Sequence, residues 1–370
     1  MSRTADVTDV TDVTRSARPT RRSRRPLQLA ALATGTVLLA TACNAAAKKD
    51  NSADNAAASG GSGKSFTLVT PDAVGQNEFL KAAVTGVKAA AKAHHGTQQV
   101  YESTDSASQQ QNVQAAVDEK PDVVVLVGFE FADLVAQQAE AHPKQQFLLV
   151  DACTEKAYQN VSCAVFREHE GVFLAGAEAG LLSESGKVGA VDVLDTPQFR
   201  RFSDPFAAGA KHVAAKTETS TRFVGGQSPF DDSARAKEQA NSLLAKGYDQ
   251  IMAAAAAGNY GVFEAAKAKG AFAYGVDVNQ CPSAPGTVVD NVVKRTDVAV
   301  EKGVERVLDG KTGTVSYGLK EGGISLTGLE DGVDSSQCVI ADHKDVLKKV
   351  EALRDQIVSG ELTVDDPAAA

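Results

Sequence analysis

The sequence predicts an α/β protein of two lobes, each built on a parallel sheet covered by helices. Strand-like and helix-like segments alternate from Phe66 onward. The strand-like segments are short, nearly continuous apolar runs, as buried parallel strands require. The alternation restarts near Lys187, which implies a second lobe.

Phe66-Thr67-Leu68-Val69 is the first strand. Phe79 to Ala93 follows as a helix, with Phe79, Leu80, Ala83, Val84 and Val87 at three-to-four spacing on one face. A strand at Gln99 to Tyr101, a helix over Ser108 to Glu119 and the strand Asp122 to Val127 come next. A helix at Ala132 to Ala141 and a strand at Phe147 to Val150 complete the first run. In the second run strands are expected at Lys187 to Val191, Thr221 to Val224, Gln250 to Ala254 and Ala273 to Val276. Helices at Phe202 to Ala215, Ser233 to Lys246 and Val262 to Lys269 separate them.

Open parallel sheets bind ligands beyond the carboxyl ends of their strands. That rule selects Asp72, Gly128, Phe129 and Asp151 in the first half. In the second it selects Asp192, Asp195, Asn259, Tyr260 and Asp277. Carboxylates, an amide and aromatic rings at strand ends suit a small polar molecule with a planar part. Carboxylates accept from hydroxyls, and rings stack on a planar base.

The N-terminal segment fixes an expected location. Arg21, Arg22, Arg24 and Arg25 precede an apolar stretch from about Leu27, which ends in Leu38-Leu39-Ala40-Thr41-Ala42-Cys43. Basic, apolar, small residues and then cysteine is the layout of a cleaved, lipidated export signal, too short and interrupted for a membrane-spanning helix. Residues 1–43 are therefore read as a signal peptide with a lipobox, and Cys43 as the lipidation site. An ordinary signal peptide cut elsewhere is the alternative, since Ala40 stands where a lipobox usually has leucine. Residues 44–64 are small and polar, as in a flexible tether. Gly60-Gly61-Ser62-Gly63-Lys64-Ser65 imitates a phosphate loop, but Ala58 replaces the first glycine and no strand precedes it.

Seven of 38 basic and three of 47 acidic residues precede Cys43, so the chain beyond it holds 31 basic against 44 acidic residues, a net charge of −13. That balance argues against nucleic acid as a partner, because phosphate binding needs Lys and Arg. Beyond Cys43 four cysteines remain, an even number suited to an oxidising compartment. Cys153 and Cys163 bracket a polar loop and are paired, which pairs Cys281 with Cys338. No Cys-x-x-Cys supports a metal site. Histidines 94, 95 and 142 have no partnering nucleophile motif, no Gly-x-Ser-x-Gly elbow occurs, and no dinucleotide fingerprint follows a strand. Neither an enzyme, a metal nor a cofactor is expected.

Several stretches together carry a family likeness. Asp151 leads to Phe166-Arg167-Glu168-His169-Glu170-Gly171 and Leu174-Ala175-Gly176. Gly275-Val276-Asp277-Val278-Asn279-Gln280, Lys294-Arg295-Thr296-Asp297 and Tyr317-Gly318-Leu319-Lys320-Glu321-Gly322-Gly323 follow in order. Over roughly residues 66 to 326 the chain resembles the basic membrane protein family, substrate-binding lipoproteins of ABC transporters, many of which bind purine nucleosides. The resemblance implies a type I periplasmic-binding-protein fold: two doubly wound parallel-sheet lobes with a hinge and an interlobe cleft. It implies that Asp277 holds ribose hydroxyls, that Lys294 contacts ligand, that Asp72 and Phe79 line the first loop, and that Phe129 stacks on a base. It also implies an ABC permease as partner and anchoring to the cell membrane on its extracytoplasmic face.

Two departures stand in the first loop. Gln76 replaces an acidic residue and Leu80 an asparagine, at positions that read the base edge in the family. The turn Ala257-Gly258-Asn259-Tyr260-Gly261 is also altered. A nucleoside-like ligand is expected, with another polar ligand left open, and a surface sensor with an altered pocket is the alternative. The expected division is 65–175 plus about 278–310 for lobe 1, 176–277 plus about 311–358 for lobe 2, and a tail at 359–370.

Overall fold

The structure, a computed structural model, describes residues 63–369. Cys43, the leader and nearly all of the tether lie outside the described residues.

The first run gives β1 (Ser65–Thr70), α1 (Glu78–Ala93), β2 (Thr97–Glu102), α2 (Ser106–Asp118), β3 (Val123–Val127), α3 (Ala132–Ala141), β4 (Phe147–Val150) and β5 (Val161–Phe166). Then come α4 (Glu168–Leu182), β6 (Lys187–Asp192), α5 (Pro197–Val213), β7 (Glu218–Phe223), α6 (Ser233–Leu244), β8 (Gln250–Ala254), α7 (Asn259–Lys269) and β9 (Phe272–Asp277). The chain closes with β10 (Val288–Lys294), α8 (Thr296–Leu308), β11 (Gly313–Tyr317), β12 (Ile324–Leu326) and α9 (Lys344–Ser359). One six-stranded sheet runs β11-β5-β4-β3-β1-β2, and the other β12-β10-β9-β8-β6-β7. All pairings are parallel except β10 with β12. Central strands are wholly buried, as in Val123–Val127, because helices cover both faces.

The chain crosses between sheets three times, at Arg167, at Arg295 and between Tyr317 and Ile324. These crossings are bound together: Arg167 N donates to Tyr317 O at 2.9 Å and Arg295 N to Gly323 O at 2.9 Å. They form the hinge of the two lobes.

The expected lobe boundaries need correcting here. β10, placed in lobe 1, pairs with β9 in the second sheet, and β11, placed in lobe 2, pairs with β5 in the first. Helix α4 leaves lobe 1 at Arg167 and packs on α5, β10 and β12. A strand's apolar pattern shows that it is buried and does not name the sheet it joins, which depends on the neighbours it pairs with. Residues 360–369 are no loose tail either, since Leu362 and Val364 pack against the core.

Helix α5 begins five residues earlier than expected. Pro197 stands in its first turn, where proline loses no helical bond. It approaches α4 closely through glycines: a Cβ on Gly209 would lie 1.9 Å from Phe173 O, and one on Gly176 2.1 Å from Phe206 O. This crossing turns the first turns of α5 toward the space between the lobes. Two disulfides are present, Cys153–Cys163 and Cys281–Cys338, with Cα separations of 5.3 and 5.0 Å.

Candidate functional site

Between the lobes lies a cavity with about 680 Å³ of empty space when its open mouth is counted. Its walls come from loops that follow parallel strands. After β1 stand Pro71 and Asp72, and the start of α1 adds Asn77, Phe79 and Leu80. After β3 come Gly128, Phe129 and Glu130, and after β4 comes Asp151. Val193, Phe199, Phe202, Phe230, Ala254 and Asp277 face them from the second lobe.

One end is charged. Lys294, the last residue of β10, reaches Asp151 Oδ1 at 2.7 Å and Glu168 Oε1 at 2.8 Å. Its ammonium sits 4.8 Å from the Phe79 ring centroid and 4.7 Å from that of Phe166, a desolvated cation–π setting. Burial opposes the charged form, but Asp151, Glu168 and Asp277 hold the Lys294 ammonium above its usual range. Burial likewise opposes the Glu168 carboxylate, yet Lys294 and Arg201 hold it below the usual range. Burial pushes Asp151 up to about 7, the lysine's pull notwithstanding. Asp151 and Glu168 together flank the Lys294 ammonium.

Asp277 is 8% exposed and lines the cavity. No donor among the described residues hydrogen-bonds its carboxylate, and burial lifts it to about 6 against the pull of Lys294. Asp277 at the end of β9 and Asp151 after β4 share a left-handed backbone, φ 73° and 70°. An L-residue held there costs roughly 1–3 kcal/mol, and aspartate tolerates it better than most. The two lobes therefore present matched aspartates to one cavity.

The other end is aromatic. Phe129 meets Phe199 edge-on at 5.7 Å, and Phe199 meets Phe230 at 5.6 Å. This chain of rings joins the lobes, and Phe129 remains 37% exposed. The mouth is acidic: burial, then Asp231, raises the Asp72 carboxyl, and burial raises Glu130 to about 7.

Of the residues selected from sequence, the cavity brings together Asp72, Phe79, Gly128, Phe129, Asp151, Asp277 and Lys294, and not Asp192 or Asp195. Asn259 and Tyr260 do not line it. Asn259 is fully buried, accepting from Ala255 N at 2.7 Å and donating to Gln280 Oε1 at 3.2 Å. It holds the turn after β8. Tyr260 donates its hydroxyl to Glu78 Oε1 at 3.1 Å, so it ties α7 to α1 between the lobes. Gln76 borders the outer, polar part of the cleft, whereas Leu80, 1% exposed, borders the cavity itself.

Phe199, Phe202 and Phe230 were missed. Phe199 and Phe202 are spaced as on one helical face, but the expected start at Phe202 hid the first turn. Phe230 follows β7, and the strand-end rule would have found it had the loop been followed further. Glu168 lay within a noted motif without an assigned role.

Two doubly wound lobes enclosing an aromatic and charged cleft define a solute-binding protein. The chain belongs to the family of PnrA-like ABC transporter substrate-binding proteins, whose profile matches residues 64–366. It is 29% identical over 337 residues to an ABC transporter nucleoside-binding protein of Lactococcus lactis, covering 83% of this chain and 92% of that one. It is 33% identical over 232 residues to an uncharacterized lipoprotein of Pyrococcus abyssi, covering 60% of this chain and 57% of the relative. Among solved structures it is similar to an ABC transporter solute-binding protein of Aeropyrum pernix, with TM-score 0.71 and 28% identity, covering 83% and 94% of the two chains.

Proposed function

We propose that this protein is a lipid-anchored solute-binding subunit, held by Cys43 on the extracytoplasmic face, that binds a nucleoside-like ligand and delivers it to an ABC permease. Asp277 carries the reading. A buried carboxylate without a protein donor, facing a cavity, is costly unless a ligand supplies the hydrogen bonds. Ribose-like hydroxyls supply them, while Lys294 offers a charged neighbour and Phe79 and Phe202 offer faces for a planar base. The nucleoside-binding relative from Lactococcus supports the ligand class, and the lipoprotein from Pyrococcus supports the anchor. Among the described residues no helix is long and apolar enough to cross a membrane.

Leu80 makes one wall apolar where a family member would present an amide. A ligand whose base edge is unsubstituted, or is read by Asp72 alone, fits that wall best. A surface sensor with the same fold is the second reading, favoured by this altered wall.

Thermal stabilisation across a panel of purine and pyrimidine nucleosides, sugars and amino acids tests the ligand class. A nucleoside should give the largest shift and Asp277→Asn should remove it. A panel with no shift at all argues against transport of these solutes, and a shift with sugars alone replaces the ligand class.

A further inference from the structure

We infer that Asp366, in the C-terminal tail, is a positioning residue for the ligand-binding lysine: it detains Arg201 and so leaves Glu168 to Lys294. The inference rests on the reading of Lys294 as a ligand group.

Four charged side chains form a line from the tail to the cleft. Asp366 grips Arg201 through two bonds, Oδ1 to Nε at 2.7 Å and Oδ2 to Nη2 at 2.7 Å. Arg201 Nη1 lies 3.8 Å from Glu168 Oε2, beyond hydrogen-bonding distance. Glu168 Oε2 is buried and has no hydrogen-bond partner among the described residues, while Oε1 holds Lys294 at 2.8 Å. A buried carboxylate oxygen left unmatched beside a guanidinium is a contact waiting to form. What prevents it is the two-pronged carboxylate on the other side of Arg201.

The tail is built to hold Asp366 in place. Leu362 N donates to Gln356 O at 3.0 Å, Ala368 N donates to Asp366 Oδ1 at 3.0 Å, and Val364 packs on the core. The buried His169 Nδ1, 3.9 Å from Asp366 Oδ1 and without a hydrogen-bond partner, completes its surroundings. The arginine comes from α5, between Phe199 and Phe202, so the tail grips the helix that forms the aromatic wall.

Without Asp366, Arg201 closes on the free Oε2 of Glu168 and draws the carboxylate toward α5, so that its Oε1 moves out of reach of Lys294. The lysine then keeps only Asp151 as a direct partner, and its ammonium shifts toward Asp151 and Asp277, which line the cavity. Binding weakens although no residue touching ligand has changed.

The test is a pair of variants, Asp366→Ala and Asp366→Ala with Arg201→Met, each studied by crystallography without ligand and by calorimetry with inosine as probe. In D366A, Arg201 should close on Glu168 to hydrogen-bonding distance and Glu168 should leave Lys294, with inosine affinity falling at least tenfold. In the double variant Glu168 should return to Lys294, with affinity recovering to within about threefold of wild type. Recovery is the decisive readout, because a merely structural tail would not be rescued by deleting its partner. A D366A structure with Glu168 still on Lys294, or a folded double variant that recovers nothing, overturns the inference. Wild-type protein that binds no inosine counts against the proposed ligand class only, since the ligand-free structures still decide where Glu168 lies.

Discussion

Helix α4 and strand β10 each carry two groups of buried charge, and the groups behave differently. At one end Lys294 faces the cleft together with Asp151 and Asp277, with Glu168 buried against it. Further along, Glu178 of α4 and Asp290 of β10 lie wholly buried beside Tyr274 of β9. In both places burial drives carboxyls upward: Asp277 to about 6, Asp290 to about 7, and Glu178 well above its ordinary value. The first group has a cation and a cavity. In the second, Asp290 accepts from the Asn291 and Gly328 amides, Glu178 feels its neighbour Asp290 as a further upward push, and the Tyr274 hydroxyl has no partner. The same two elements thus line the proposed binding cavity where a lysine and open space meet the acids, and bury a pair of acids with raised pKa where neither does.

Lys294→Met should break the contrast most strongly. It leaves Asp151 and Glu168 buried without their cation, a change that costs about 3–5 kcal/mol. Urea denaturation at pH 7 measures it, and the loss should shrink at pH 5, where the acids take up protons. A loss below about 1 kcal/mol would mean the lysine does not neutralise this end.

Asp277→Asn acts on binding rather than on folding. Affinity for the best nucleoside of the panel should fall at least tenfold, roughly 1.5–3 kcal/mol for a lost charge-assisted bond, with thermal stability undiminished. Because its folded pKa is about 6, wild-type affinity should itself drop about tenfold from pH 7 to pH 5 as the carboxylate protonates. Lys294, Glu78 and Glu168 also act on this carboxyl, so calorimetry of D277N, whose profile should be flatter, isolates its share.

Glu178→Gln sharpens the other side. Acids whose folded pKa is raised stabilise the fold below their ordinary range, and that stability is lost as pH climbs through the folded value, here from about 4 through about 7 for Asp290. Above pH 7 the amide variant should be more stable than wild type by roughly 1–3 kcal/mol, and at pH 5 about equal. Equal melting curves at both pH values would show that the pair holds no proton. The smallest effect is expected for Tyr274→Phe, a gain of up to about 1 kcal/mol from removing a buried hydroxyl that has no partner.

The alternating apolar runs determined the α/β class and most strands, because a strand buried on both faces must be apolar at nearly every position. Phe147 to Val150 and Gln250 to Ala254 are recovered to the residue. β10 was not legible that way, since Asp290 and Asn291 interrupt its valines; each draws on partners from other segments, Gly328 N for Asp290 and Gln280 N and Thr327 Oγ1 for Asn291. The strand-end rule found Asp72, Phe129, Asp151 and Asp277 from local order alone. It also chose Asp192, Asp195, Asn259 and Tyr260, which do not line the cavity, because sequence places a residue at a strand end without saying which way its side chain turns.

By itself, then, the sequence determined the fold class, the cysteine pairs and the carboxyl ends where a ligand could bind, since these follow from local pattern and count. Only the tertiary structure decided which sheet each returning strand joins, that α5 supplies the aromatic wall, and that Asp366 lies three charges away from Lys294. Those relations depend on which segments pack together, and no period in the chain encodes the distance between residues 201, 294 and 366.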